Sequence, residues 1–176
     1  RARKSSTPFF VWYAPFLPHT PHNPPARLLN RYDALGIAPE VKKYYAMVDW
    51  LDETVAQLLD HLERNGQAEN TIIVYLADNG WVQLSGGTPF NQSRSKLSPY
   101  DAGLRTPILI RWPGRIKPER DETSLASSVD LASTILPLCG VKKLAALPGV
   151  NLTKAAERRR RDSVYGSIFI HTSEDV

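Results

Sequence analysis

"TIIVYLADNGW" (residues 71–81) decides the fold. Thr71 to Leu76 are β-branched, aliphatic or aromatic, the composition of a buried strand. The chain then turns abruptly polar at Asp78, Asn79 and Gly80. In open α/β sheets, ligands bind beyond the carboxyl ends of strands, and a strand over 71–77 would place these three residues at such an end. Asp offers a charged oxygen and Asn a neutral one, a pair suited to a hard cation such as Ca²⁺ or Mg²⁺. Asp-Asn-Gly is also a good turn in its own right, so the triplet alone leaves both readings open.

Upstream, "APEVKKYYAMVDWLDETVAQLLDHLERNG" (38–66) carries Val41, Tyr45, Val48, Val55, Leu59 and Leu62 at three- and four-residue steps, interrupted by Asp52. That spacing predicts an amphipathic helix, with Pro39 in its first turn and Gly66 at its stop. Earlier still, "PFFVWYAPF" (8–16) predicts a buried strand over Phe9–Tyr13. It leads into the proline-rich "LPHTPHNPPARL", a stiff extended loop holding His19 and His22. Imidazole at a sheet edge can hold an anion or pass a proton to a leaving oxygen. "HTPH" lacks the spacing of the helical HExxH zinc motif.

Downstream, "PILIRW" (107–112) predicts a second strand and "SVDLASTILPLC" (128–139) a short helix ending at Gly140. "LPGVNLTKAAERRRRD" reads as a surface connection, and "SVYGSIFI" (163–170) as a final strand. Strand, helix, strand, loop, strand, helix, strand is an α/β order. It implies a mostly parallel sheet with helices on both faces. Between the two central strands, "SKLSPYDAGLRTP" supplies Lys96, able to neutralise charge on a tetrahedral oxyanion ester. Arg105 there can bind an anion or brace the loop on acids such as Asp101.

At 176 residues, 42% hydrophobic and 23% charged, the chain suits one soluble globular domain, and 1–176 is expected to form one. No apolar run approaches the roughly 20 residues of a membrane helix, and "RARKSSTPFF" does not read as a signal peptide. The net charge of +4 is local: the 22 basic residues less Arg158–Arg161 equal the 18 acids. That run, without interleaved aromatics, reads as a solvated loop or helix end and not as a nucleic-acid platform. The single cysteine, Cys139, excludes an internal disulfide, has no zinc spacing around it and is expected to be buried. The sequons at Asn91 and Asn151 are short enough to arise by chance.

Taken together and in this order, "PFFVWYAPFLPHTPHNPP", "YYAMVDWLDETVAQLLDHLERNGQAENTIIVYLADNG", "SKLSPYDAGLRTPILIRWPG" and "SSVDLASTILPLCGV" resemble the sulfatase family of the alkaline phosphatase superfamily, over roughly residues 8–140. The resemblance implies an alkaline-phosphatase-like α/β fold and hydrolysis of sulfate esters. It implies that Asp78 and Asn79 ligate a metal, calcium ahead of magnesium. His19 and Lys96 would contact the sulfate group and leaving oxygen. His22 would stand behind His19, and Arg105 would be structural. Family members are often periplasmic, secreted or lysosomal.

The departures matter as much. Sulfatases carry a Cys or Ser in C/S-x-P-x-R that becomes formylglycine, and this chain has no such motif. The upstream acids that complete the family's metal site are also absent, and Ala102 stands where the family usually has glycine. The expectation is an internal piece of a sulfatase catalytic domain, lacking its nucleophile half and inactive alone. The rival readings are a phosphodiesterase or phosphonate hydrolase of the same superfamily, and an inactive truncated module.

Overall fold

The computed structural model describes residues 7–81, 95–142 and 147–166. They divide into two compact units, Arg1–Ala68 and Glu69–Val176.

The first unit is built on the long helix. Helix α1 (Ala26–Leu29) follows the proline-rich loop and continues as a 3₁₀ segment, Asn30–Leu35, before α2 (Pro39–Arg64). Proline in its first turn starts α2 where the lost N–H has no intrahelical partner anyway. Leu28, Ala46 and Met47 are its buried apolar residues.

Of the apolar stripe read in the sequence, Val41, Val55, Leu59 and Leu62 are half-buried, and Ala46 and Met47 are the fully buried positions of α2. Lys42, Asp49 and Glu53 are also half-buried, tied to the preceding segment by three ion pairs. Arg27 grips Glu53 with two hydrogen bonds, 2.5 and 2.6 Å. Arg31 pairs with Asp49 at 2.9 Å, and Asp33 with Lys42. The Arg27 guanidinium holds the Glu53 carboxyl below the usual carboxylate range. Tyr45 and Val48, expected in the core, stay exposed, though Tyr45 packs edge-on against Tyr32.

The expected strand Phe9–Tyr13 is corrected. Its backbone pairs with no strand among the described residues, and Phe10 and Trp12 are 84% and 81% exposed. Residues of strand composition form a strand only where a partner completes the ladder.

The second unit holds a two-stranded sheet of β1 (Ile73–Leu76) and β2 (Ile108–Arg111). Both strands lie where the sequence places them, but they run antiparallel, with Ile73 opposite Arg111 and Leu76 opposite Ile108. The mostly parallel sheet expected from the element order is not seen in this pair. Among its described residues, the connection 77–107 carries only the one-turn helix α3 (Asp101–Leu104). Among the described residues of that connection there is no crossover helix, which antiparallel neighbours do not require. Trp112 closes β2, buried, donating its indole N–H to the Glu69 carbonyl at 3.1 Å beneath the Arg115 guanidinium.

Helix α4 (Asp130–Leu138) and the one-turn α5 (Ala155–Arg158) complete the unit. Segment 147–161, expected as a surface connection, is fastened to α4 by a polar clamp. Asp130, fully buried, accepts from the Ser127 and Val150 amides at 2.8 and 2.9 Å and from Arg161 at 2.6 Å. Thr134 donates to the Asp130 carbonyl and accepts from the Leu152 amide.

Arg158 is 9% exposed and reaches Asp121 at 2.9 Å, Glu119 at 2.5 Å and the Leu152 carbonyl at 2.6 Å. The arginine run is thus not one solvated patch. Arg158 and Arg161 are built into the interior, and Arg159 and Arg160 remain exposed.

Asn151, one of the two sequons, is buried, and its side-chain oxygen accepts the Thr153 amide and hydroxyl. Asn91 lies outside the described residues. Cys139 is exposed, not buried, because it follows the covered turn of α4 that presents Ser133 and Thr134 inward. Of the expected strand 163–170, residues 163–166 are exposed and unpaired, and the rest lies outside the described residues. No described helix is long and apolar enough to cross a membrane.

The clamp carries an acid signature. The Ser124 amide and hydroxyl, then the Thr123 amide and last Arg158, hold Asp121 well below the usual carboxylate range. Unfolded Asp121 takes its proton near pH ~3.9, and the folded residue does so only at lower pH. Between those points the unfolded state binds more protons, so stability falls as the pH drops below about 4. Asp121→Asn is expected to flatten that acid limb of an equilibrium unfolding series and to lower stability at neutral pH. An unchanged pH profile would contradict this.

Candidate functional site

Antiparallel pairing brings the end of β1 and the start of β2 to the same rim, since Leu76 faces Ile108. Asp78, Asn79 and Arg105 therefore lie at one end of the ladder. Asp78 is exposed and Asn79 half-buried, and neither side chain has a hydrogen bond or ion pair among the described residues. Gly80 then meets the turn α3. Its amide donates to the Gly103 carbonyl at 2.8 Å. A Cβ on residue 80 would stand 2.0 Å from the Ala102 carbonyl oxygen, so only glycine allows this approach. The answer to the polar end of the strand is thus double: the glycine is required by packing, and it leaves the acid and amide at the rim.

Lys96 joins the same cluster. Its amide donates to the Trp81 carbonyl at 2.9 Å, one residue beyond the Gly80 contact. Its side chain is half-buried and unpaired among the described residues. Arg105 turns back to Asp101 at 3.2 Å, with both side chains largely exposed. A surface pair of that kind steadies a loop weakly.

His19 and His22 belong to the first unit. The exposed His19 ring packs against Phe16 at 4.8 Å between centroids, and its Nδ1 bonds the Thr20 carbonyl at 2.9 Å. A carbonyl only accepts, so Nδ1 carries a hydrogen and Nε2 is the atom left for a ligand. His22 rests on Tyr44, ring centroids 5.7 Å apart. The structure thus brings Asp78, Asn79, Lys96 and Arg105 to one rim, and sets His19 and His22 together on the proline-rich loop.

The donor chemistry at residues 78–79 fits a hard cation: one carboxylate and one amide oxygen, uncommitted to other described groups. The number of donors does not complete a site. Calcium takes about 6–8 oxygens, and no cluster of three or more His, Cys, Asp or Glu able to hold a metal occurs among the described residues.

The residues that sequence reasoning missed are those of the backbone lock and the clamp: Gly103, Leu97, Asp121, Asp130 and Arg161. Only Asp130, an acid in the first turn of a predicted helix, carried a local signal.

The sulfatase family model matches residues 1–141. An uncharacterised sulfatase, YdeN of Escherichia coli K12, is 33% identical over 98% of this chain and 31% of its own length. An endo-4-O-sulfatase of Bacteroides thetaiotaomicron is 30% identical over 79% of this chain and 30% of its own. Among solved structures, that of Ps i-CgsB superposes with a TM-score of 0.63 at 30% identity, over 77% of this chain and 30% of that one. The same protein in complex with k-i-k-neocarrahexaose gives 0.60 at 26%. The chain spans about a third of the length of these relatives. With the family model covering most of its residues, the chain belongs to the sulfatase family.

Proposed function

We propose that this chain supplies the leaving-group side and part of the metal site of an enzyme that hydrolyses sulfate esters. One observation carries the reading. The bend bearing Asp78 and Asn79 and the turn bearing Lys96 are locked at one rim by the bonds Gly80–Gly103 and Lys96–Trp81.

Asp78 and Asn79 hold a divalent cation, calcium ahead of magnesium, with the remaining ligands coming from outside these residues. When bound, the cation supplies neutralisation of charge on a sulfate oxygen. The Lys96 ammonium binds the sulfate group and offsets the charge that grows on the departing ester oxygen. His19 is assigned a leaving-group role by family resemblance, with Nε2 the ring atom not engaged by Thr20. His22 supports the histidine loop through Tyr44, and Arg105 steadies the lysine segment through Asp101. The attacking nucleophile, a formylglycine in this family, is not among the residues of this chain. The pair β1–β2 is read as the antiparallel part of an otherwise parallel sheet covered by helices on both faces. The complex of a similar structure with k-i-k-neocarrahexaose favours a sulfated carbohydrate as the substrate class.

The test is an assay on a chromogenic aryl sulfate. The isolated 176 residues are expected to show little or no turnover. A longer polypeptide containing them, with a C/S-x-P-x-R segment upstream, is expected to show calcium-dependent turnover. Robust metal-dependent activity from the isolated chain, or none from the longer one, would contradict the proposal.

A further inference from the structure

Leu97 stands in the left-handed region, with φ 71°, directly after Lys96. A leucine there is strained where a glycine would not be. Its side chain is 57% exposed, so burial does not offset the strain. What the conformation preserves is a backbone knot. Ser98 donates its amide and its hydroxyl to the Ser95 carbonyl, at 3.0 and 2.6 Å, and both serines are buried. Gly103 seals this turn from the α3 side. A Cβ there would lie 2.3 Å from the Ser98 carbonyl oxygen and 2.5 Å from that of Ser95. The Gly103 carbonyl in turn accepts from Gly80, and the Lys96 amide donates to Trp81. Lys96 therefore lies inside the bonded turn Ser95–Ser98 with its own amide tied to Trp81, while the strain falls on its neighbour. Strain kept without compensating burial is characteristic of residues that position a functional group.

We propose that Leu97 and Gly103 are positioning residues for Lys96. The left-handed turn fixes its backbone against the Asp78–Asn79 bend, so that the ammonium meets a sulfate group from a set direction. Flexibility at residue 97 would return to Lys96 the entropy that a preorganised site has already lost. The inference rests on the reading of Lys96 as a sulfate-binding residue.

The test is residue-resolved acylation of the whole chain with an amine-reactive ester, with and without inorganic sulfate and Ca²⁺, alongside thermal unfolding. In the wild-type chain, sulfate is expected to slow acylation of Lys96 about tenfold, the size of one charge-assisted hydrogen bond, and to leave Lys117 unaffected. Leu97→Gly removes the strain, so its unfolding temperature should match or exceed that of wild type while the protection disappears. Leu97→Asn removes the leucine side chain but tolerates the left-handed backbone, and should restore protection. Gly103→Ala should lose it.

If wild type is protected and Leu97→Gly is protected equally, the positioning role is overturned and the sulfate-binding role of Lys96 stands. If Leu97→Asn loses protection as fully as Leu97→Gly, the leucine side chain and not the backbone is responsible, which also overturns it. If wild type shows no protection, the reading of Lys96 itself falls and takes the positioning role with it.

Discussion

Asp130→Ala is expected to destabilise the second unit by about 3–5 kcal/mol, a large part of the roughly 5–15 kcal/mol that holds a domain folded. The carboxylate is fully buried and joins three parts of the chain: the Ser127 amide before α4, the Val150 amide on the returning segment, and the Arg161 guanidinium beyond α5. Alanine would leave two amides and a largely buried cation without their acceptor. Each loss of that kind carries a desolvation cost beyond the bond itself. Asp130→Asn keeps one acceptor oxygen and should fall between the two. Chemical denaturation followed by the fluorescence of Trp112, with the other three tryptophans replaced by phenylalanine, would measure it. A loss below ~1 kcal/mol for Asp130→Ala would mean the clamp is not what holds segment 147–161.

Lys96→Ala in a longer sulfatase polypeptide containing this chain should lower kcat by about 100- to 1000-fold, as for removal of one preorganised donor to developing negative charge. The unfolding temperature should hardly move, since the Lys96 side chain has no partner among the described residues and its structural bond is made by its amide. That combination, lost turnover with preserved stability, separates a group that acts on the substrate from one that supports the loop. Steady-state kinetics on an aryl sulfate beside a thermal melt decides it. Wild-type kcat in the variant would remove Lys96 from the mechanism.

Much of the local structure was legible because it depends on local pattern. The periodicity from Val41 to Leu62 and the cap at Pro39 mark α2, whose observed ends are Pro39 and Arg64. The runs around Ile73 and Ile108 mark both strands. That Tyr45 and Val48 stay exposed while Lys42, Asp49 and Glu53 are covered was not legible. It depends on where Arg27, Arg31 and Asp33 find Glu53, Asp49 and Lys42, and those pairings are non-local.

Strand direction was illegible for a similar reason. Hydrophobic alternation is the same in both directions, so it does not encode which way a strand runs. Gly80 could be read as a turn glycine, but its need to clear the Ala102 carbonyl appears only in three dimensions. The arginine run misled because charge counting treats like residues alike, and two of the four arginines are interior partners of Asp121, Glu119 and Asp130. Asp78, Asn79, Lys96 and Arg105 could be nominated from their chemistry, whereas the backbone bonds that hold their segments at one rim could not.

The central claim is that the side-chain oxygens of Asp78 and Asn79 hold a divalent cation, and calorimetric titration of the chain with Ca²⁺ tests it most directly. One weak site is predicted, with Kd on the order of 10⁻³ M because most of the ligand shell is missing, and it should vanish in Asp78→Ala while the α4 clamp stays folded. An Asp78→Ala chain that binds Ca²⁺ as wild type does, or a wild-type chain that takes up none at tens of millimolar, would contradict it.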